Sequence, residues 1–133
     1  MDIRITPIDR EAAEKGKWTK YRGVDLCIAR ANNTRFRAIF RRLTRPYQID
    51  MDEGRLSEAI SADLMAEALG REVLVDWKPF EVGEGDSVIT VQYSPENAKQ
   101  LLLDDPDCQD FVMDYSKSLN NYLEETKENT AGE

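Results

Sequence analysis

The sequence contains no histidine among its 133 residues. Histidine is the commonest general base and metal ligand in proteins, so its absence excludes the His-dependent triads and most transition-metal sites. The only cysteines, Cys27 and Cys108, lie far apart, and we expect two small buried thiols rather than a zinc site. Because no serine or cysteine has a base at catalytic spacing, we expect no enzyme, no cofactor and no small-molecule substrate.

Long apolar runs are also missing. No run approaches the roughly 20 residues that a membrane span needs, and the first five residues lack the basic-then-apolar order of a signal peptide. Hydrophobic residues still make up 41% of the chain, which is enough for a core. We expect one domain over residues 1–126, a solvated tail over 127–133, no membrane contact and a cytoplasmic location.

Charge is unevenly distributed in this chain, whose net charge is −8. Residues 1–50 hold 12 Lys and Arg against 6 Asp and Glu, a net of +6, whereas residues 51–133 hold 6 against 20, a net of −14. A basic front and an acidic back can pair within one chain or head to tail between copies. We therefore expect self-association. Replacing Arg37, Arg41 and Arg42 by Glu should weaken oligomers or partner binding more than it lowers the melting temperature.

The fold class that the patterns favour is α+β, mostly α, with an N-terminal β-hairpin and about four helices. Val24, Leu26 and Ile28 alternate with polar residues after a glycine, which predicts a hairpin over 17–30. A short edge strand at Ile3 and Ile5 is compatible with the alternation there. The remaining elements follow from capping signals and periodicity: a strand within 88–93 and helices over 33–45, 56–77, 95–103 and 106–126.

Two of these helices leave alternatives open. Gly70 is either a helix-stopping glycine, leaving 72–77 as a strand, or an interior residue of one helix to Trp77. We favour the helix, because Leu69, Val73 and Trp77 keep a spacing of four. In the last helix the apolar residues follow a heptad-like seam. We expect it to pack on the domain's own core, with a dimer seam as the alternative.

The helix over 33–45 carries the clearest candidate site. Its apolar stripe leaves arginines on the other faces, and these are Arg35, Arg37, Arg41, Arg42 and Arg45. Arginine binds carboxylates and phosphates in pairs of hydrogen bonds, so protein and nucleic acid are both possible partners. The acidic pI near 4.7 and the lack of aromatic stacking residues beside the arginines favour a protein partner. Trp77 is a further candidate anchor for a partner.

Several short motifs, taken in order, resemble the tail assembly chaperones of long-tailed phages. They are G-K-W at 16–18, V-D-L-C-I-A-R-A-N-N at 24–33, V-L-V-D-W at 73–77 and Y-S-P-E-N-A at 93–98. The resemblance covers about residues 15–125, and the middle motif is similar to the end of that family's long helix, which finishes in a Trp. It implies a non-enzymatic, self-associating protein of the host cytoplasm that is absent from the mature virion. The implied partners are the tape measure protein and also the tail tube protein.

Two other functions are compatible with the same residues. One is a different structural or interaction protein of a phage, which mass spectrometry of virions would detect. The other is a nucleic-acid binder that uses the arginine helix, which a salt-dependent binding assay would detect.

Overall fold

The computed structural model describes residues 5–124, a mixture of helices and strands in which helices predominate. The helices are α1 (Arg10–Lys15), α2 (Thr34–Thr44), α3 (Gln48–Asp52), α4 (Glu58–Glu72), α5 (Pro95–Asp104) and α6 (Pro106–Lys117). The strands are β1 (Lys17–Tyr21), β2 (Val24–Ile28), β3 (Leu74–Trp77), β4 (Phe80–Val82) and β5 (Ile89–Val91). They form one sheet in the order β1-β2-β3 and a separate pair, β4-β5. The predicted tail over 127–133 lies outside the described residues.

The predicted N-terminal hairpin is confirmed. Strands β1 and β2 pair antiparallel, with Tyr21 opposite Val24. The two turn residues, Arg22 and Gly23, both have positive φ, at 49° and 86°. This is the arrangement that two-residue hairpin loops require, because its twist matches that of the strands.

The prediction of one helix from 56 to 77 is wrong beyond Glu72. Helix α4 ends there, and β3 pairs antiparallel with β2, placing Trp77 opposite Leu26. The sheet thereby overrides the apolar spacing of four that favoured a helix, since β-branched and aromatic residues at 73–77 also suit a buried strand. The alternative of a strand over 72–77 is confirmed by β3, although the helix stops at Glu72 and not at Gly70.

Gly70 has a packing role inside α4. A Cβ atom at this position would lie 3.0 Å from the backbone nitrogen of Lys99 and 3.2 Å from the Cβ of Ala98. The absence of a side chain therefore lets α5 approach α4 closely. The glycine at position 70 therefore marks a close contact between two helices and not the end of a helix.

Other boundaries differ from the predictions in ways that caps and packing explain. The last helix ends at Lys117 instead of 126 and is followed by a 3₁₀ turn, Leu119–Tyr122, that returns the buried Tyr122 ring to the core.

Helix α1 was not predicted; Asp9 caps it through the N–H of Ala12 at 3.1 Å. The connection after α2 contains α3, and β4 was also missed. Ile3 lies outside the described residues, and Ile5 is exposed and belongs to no strand.

The hydrophobic core lies between the three-stranded sheet and helices α4, α5 and α6. Its fully buried side chains include Leu26, Ile28, Leu69, Leu74, Leu102 and Val112. The seam of the last helix packs here through Cys108 and Val112, as expected, whereas Leu119 is exposed. Helix α2 packs on α4 at the border of this core, which leaves its outer face to solvent.

Candidate protein-binding site

The arginine helix begins as the sequence predicted. The side-chain oxygen of Asn33 accepts a hydrogen bond from the backbone N–H of Phe36 at 2.7 Å, and its amide nitrogen donates to the carbonyl of Arg30. This satisfied, buried cap fixes the first turn of α2. Phe36 and Phe40 stack at 5.9 Å on the inner side, so the helix has a defined orientation.

All five predicted arginines are on the exposed surface of this segment. They fall into two sets on different faces of the helix. Arg35 and Arg42, seven residues apart, form one set, and Arg37 and Arg41, four residues apart, form the other. Arg35 and Arg42 flank the buried Ile39 and lie on the side of α4. Arg37 and Arg41 lie on the opposite side of α2 from Ile39, towards solvent, and Arg45 continues their row.

Arg35 joins three elements. Its Nε lies 3.1 Å from the carboxylate of Glu72 at the end of α4, and its terminal nitrogen donates to the carbonyl of Glu14 in α1 at 2.7 Å. The pair is partly exposed, so its contribution to stability is below about 1 kcal/mol. Its main effect is on position, because it holds α2 against α1 and α4.

A cleft of about 620 Å³ lies between α2 and α4. Three guanidinium groups line it, those of Arg35, Arg42 and Arg71, together with the carboxylate of Glu72. Glu72 is already paired with Arg35, whereas Arg42 and Arg71 have no carboxylate within 4.0 Å among residues 5–124. Ala38 and Ile39 form an apolar part of the cleft. The cleft thus offers two available arginines beside an apolar strip.

A second cleft, of about 400 Å³, lies on the other side of α2. Arg10, Arg30 and Arg37 line it, with Glu14 as its carboxylate. Arg37 is oriented by a hydrogen bond that it donates to the side-chain oxygen of Asn32. Helix α2 therefore separates two arginine-lined clefts.

Two residues of these clefts were missed by reasoning from the sequence. Arg71 lies in the last turn of α4, and Arg10 opens α1, both far along the chain from the arginine run. Arginine in the last turn of a helix is ordinarily explained by the helix dipole, so Arg71 carried no distinct signal. Only the packing of α4 and α1 against α2 brings them to the site.

Trp77 lies in the core and not at the basic surface. Its side chain is 3% exposed, and its indole N–H donates to the carbonyl of Val91 at 3.2 Å. The ring packs against Tyr93 at 5.1 Å and Phe80 at 5.5 Å. The indole joins β3 to the β4-β5 pair, so it is not available as a surface anchor in this fold.

Both cysteine thiols are buried, and burial shifts their pKa values. Burial raises the pKa of the Cys27 thiol to about 11 and that of Cys108 to about 12. Both are therefore protonated thiols at neutral pH, which makes them poor nucleophiles and poor metal ligands. Among residues 5–124, no three acidic or thiol side chains converge on a possible metal position. None of the helices in that range is long and apolar enough to cross a bilayer.

Comparison with protein-family profiles places this chain in a known family. The profile of the YdaY prophage protein family matches residues 31–133, a region that starts just before α2 and contains every residue that lines the α2-α4 cleft. No curated protein and no solved structure matches the chain. The match supports the sequence-based expectation of a phage or prophage protein. Since it covers more than half of the 133 residues, this chain belongs to the YdaY prophage protein family.

Proposed function

We propose that this prophage protein is a non-enzymatic tail assembly chaperone. In this role it binds the tape measure protein in the cytoplasm of the bacterial host and assists polymerisation of the tail tube protein around it. Such a protein leaves before assembly is complete, so it is absent from the mature virion. Membership of a prophage protein family and the ordered motifs of the sequence support the proposal. The motif around Trp77 contributes nothing here, because its resemblance to a helix end is not matched by the strand β3.

One observation carries the binding role: Arg42 and Arg71 line the α2-α4 cleft without a carboxylate partner in residues 5–124. A guanidinium group held at a partly apolar cleft binds a carboxylate through two parallel hydrogen bonds. The adjacent Ala38 and Ile39 accept an apolar side chain. The cleft therefore suits a segment of a partner that carries acidic residues next to apolar ones.

A protein partner fits this site better than nucleic acid. Each cleft contains a carboxylate, Glu72 in one and Glu14 in the other, and the chain carries a net charge of −8. These charges repel a continuous phosphate backbone, whereas an acidic protein segment places its few carboxylates only where arginines lie.

Co-expression with the tape measure protein of the same prophage tests the proposal. We expect the two proteins to co-purify at low salt, and the double variant Arg42→Glu/Arg71→Glu to lose the complex while keeping its helical circular dichroism. The matched control is Lys20→Glu/Lys78→Glu, which makes the same charge change at two exposed lysines that lie outside both clefts and have no carboxylate within 4.0 Å among residues 5–124. It should retain the complex.

Two results would contradict the proposal. One is the absence of a complex between the wild-type protein and the tape measure protein at micromolar concentration and low salt. The other is the presence of the protein in purified virions by mass spectrometry, which would indicate a structural component. Salt-sensitive binding of nucleic acid that is lost in the Arg42→Glu/Arg71→Glu variant would assign the cleft to that ligand instead.

A further inference from the structure

The outer face of α6 carries a row of aspartates that the fold does not use. Asp107, Asp110 and Asp114 are exposed and follow each other by three and four residues, so they form one stripe about 10 Å long. The buried residues of the helix, Cys108 and Val112, lie on the other side. We call these three aspartates the acidic stripe.

Capping explains only the first of them. Asp107 lies in the first turn of α6, where the helix dipole favours a carboxylate. Asp114 lies in the last turn, where the same dipole disfavours one. No Lys or Arg of residues 5–124 lies within 4.0 Å of any of the three. By contrast, Asp63 and Glu67 on α4 both pair with Lys99, at 3.3 and 3.5 Å.

The outer face of α2 has a matching row of opposite charge. Arg37 and Arg41 lie on α2, and Arg45 is the C-terminal cap residue that follows it. All three are exposed and four residues apart, so they span about 12 Å. We call them the arginine ridge. None of them has a carboxylate partner within 4.0 Å in the described chain. The ridge and the stripe agree in length and in number of charges.

The fold keeps the two rows apart within one molecule. Helix α2 packs on α4, and α6 packs mainly on α5 with smaller contacts to β2 and α4. Each row points away from the residues that its helix buries. No ion pair joins ridge to stripe among residues 5–124. Every copy of the chain therefore carries an acidic helix face of the right length. The stripe of one copy can reach only the ridge of another copy.

We propose that the arginine ridge of one copy docks on the acidic stripe of another. The two surfaces differ, so the contact is head to tail and each bound copy still presents one unpaired row. Copies therefore add in series, as a ring if the rotation closes and as a chain if it does not. This contact uses the outer side of α2 and is independent of the cleft assigned to the tape measure protein.

A charge-swap experiment tests this interface. The variants are Arg37→Glu/Arg41→Glu and Asp110→Lys/Asp114→Lys; Asp107 is retained because it supports the first turn of α6. Sedimentation velocity should show wild-type oligomers that weaken at least about tenfold when the Debye length falls from roughly 20 Å to roughly 4 Å with added salt. Each variant alone should be monomeric, because its ridge and stripe then carry the same sign.

An equimolar mixture of the two variants decides the matter. The ridge of the Arg37→Glu/Arg41→Glu variant is complementary in charge to the stripe of the Asp110→Lys/Asp114→Lys variant. The other two surfaces, the stripe of the former and the ridge of the latter, are native and also complementary. We expect oligomers of alternating copies to reappear. A wild-type protein that is monomeric at low salt, variants that associate like the wild type, or a mixture that stays monomeric would each overturn the proposal. The Asp110→Lys/Asp114→Lys variant keeps every arginine, so its binding to the tape measure protein tests the proposed function separately.

Discussion

Replacing Trp77 by Phe measures how far the core depends on an indole that was also a candidate anchor for a partner. The side chain is 3% exposed, and its N–H donates to the carbonyl of Val91 at 3.2 Å. Losing that hydrogen bond costs about 1 kcal/mol. The smaller ring leaves a cavity between Phe80 and Tyr93 that costs a further 1 to 2 kcal/mol or so. We expect the free energy of unfolding to fall by about 2 to 3 kcal/mol.

Urea unfolding followed by far-ultraviolet circular dichroism measures this loss, because the helical signal does not depend on the tryptophan. For a chain of this size the melting temperature should fall by about 10 °C. The matched control is Trp18→Phe, since Trp18 is 47% exposed on β1 and its ring lies 5.8 Å from the Lys78 ammonium. That change should cost less than about 1 kcal/mol. Equal losses in the two variants would refute the placement of Trp77 in the core.

Three further outcomes follow from buried polar groups. Asn33→Ala should lower the free energy of unfolding by about 1 to 2 kcal/mol in urea titrations, because α2 loses its cap. Since burial raises the pKa of Cys27 to about 11 and of Cys108 to about 12, a disulfide reagent at pH 8 should react slowly with the native protein and rapidly in urea. Burial raises the pKa of Tyr93 to about 12 and also raises that of Tyr122, so the unfolded chain releases these protons more readily. The two buried thiols act in the same direction from an unfolded pKa of about 8.5. Stability should therefore be intact below a pH of about 8.5 and decline above it, and the urea midpoint should fall between pH 8 and 11.

Local signals in the sequence were sufficient for the elements with strong caps. Asn33, Ser94 and Asp105 each accept a hydrogen bond from a backbone N–H in the first turn of the helix that follows, as the sequence indicated. The turn at Arg22 and Gly23 likewise predicted the hairpin. These features depend on residues within a few positions of each other, so no tertiary information was needed.

Features that depend on distant contacts were not predictable in the same way. Residues 73–77 are apolar at spacings that fit both a helix and a strand, and pairing with β2 decides between them. The role of Gly70 likewise depends on α5, which packs closely against it. Neither partner is near in sequence, so local periodicity favoured the wrong structure.

The candidate site shows the same division. The five arginines of the run were found from the sequence because one short helix and its C-terminal cap residue place them all on the surface. Arg71 and Arg10, which belong to other helices, complete the two clefts. Trp77 is buried because it lies in strand β3 of the sheet. The sequence thus located the basic helix, while the structure determined which arginines are available.

The affinity of the wild-type protein for the tape measure protein of the same prophage, compared with that of Arg42→Glu/Arg71→Glu, tests the proposed binding role most directly. Isothermal titration calorimetry at low salt gives both values, with Lys20→Glu/Lys78→Glu as the charge-matched control. We expect the cleft variant to bind at least about tenfold more weakly, which corresponds to roughly 1.4 kcal/mol, and the control to bind like the wild type. Equal affinities for the wild type and the cleft variant would contradict the binding role of the α2-α4 cleft.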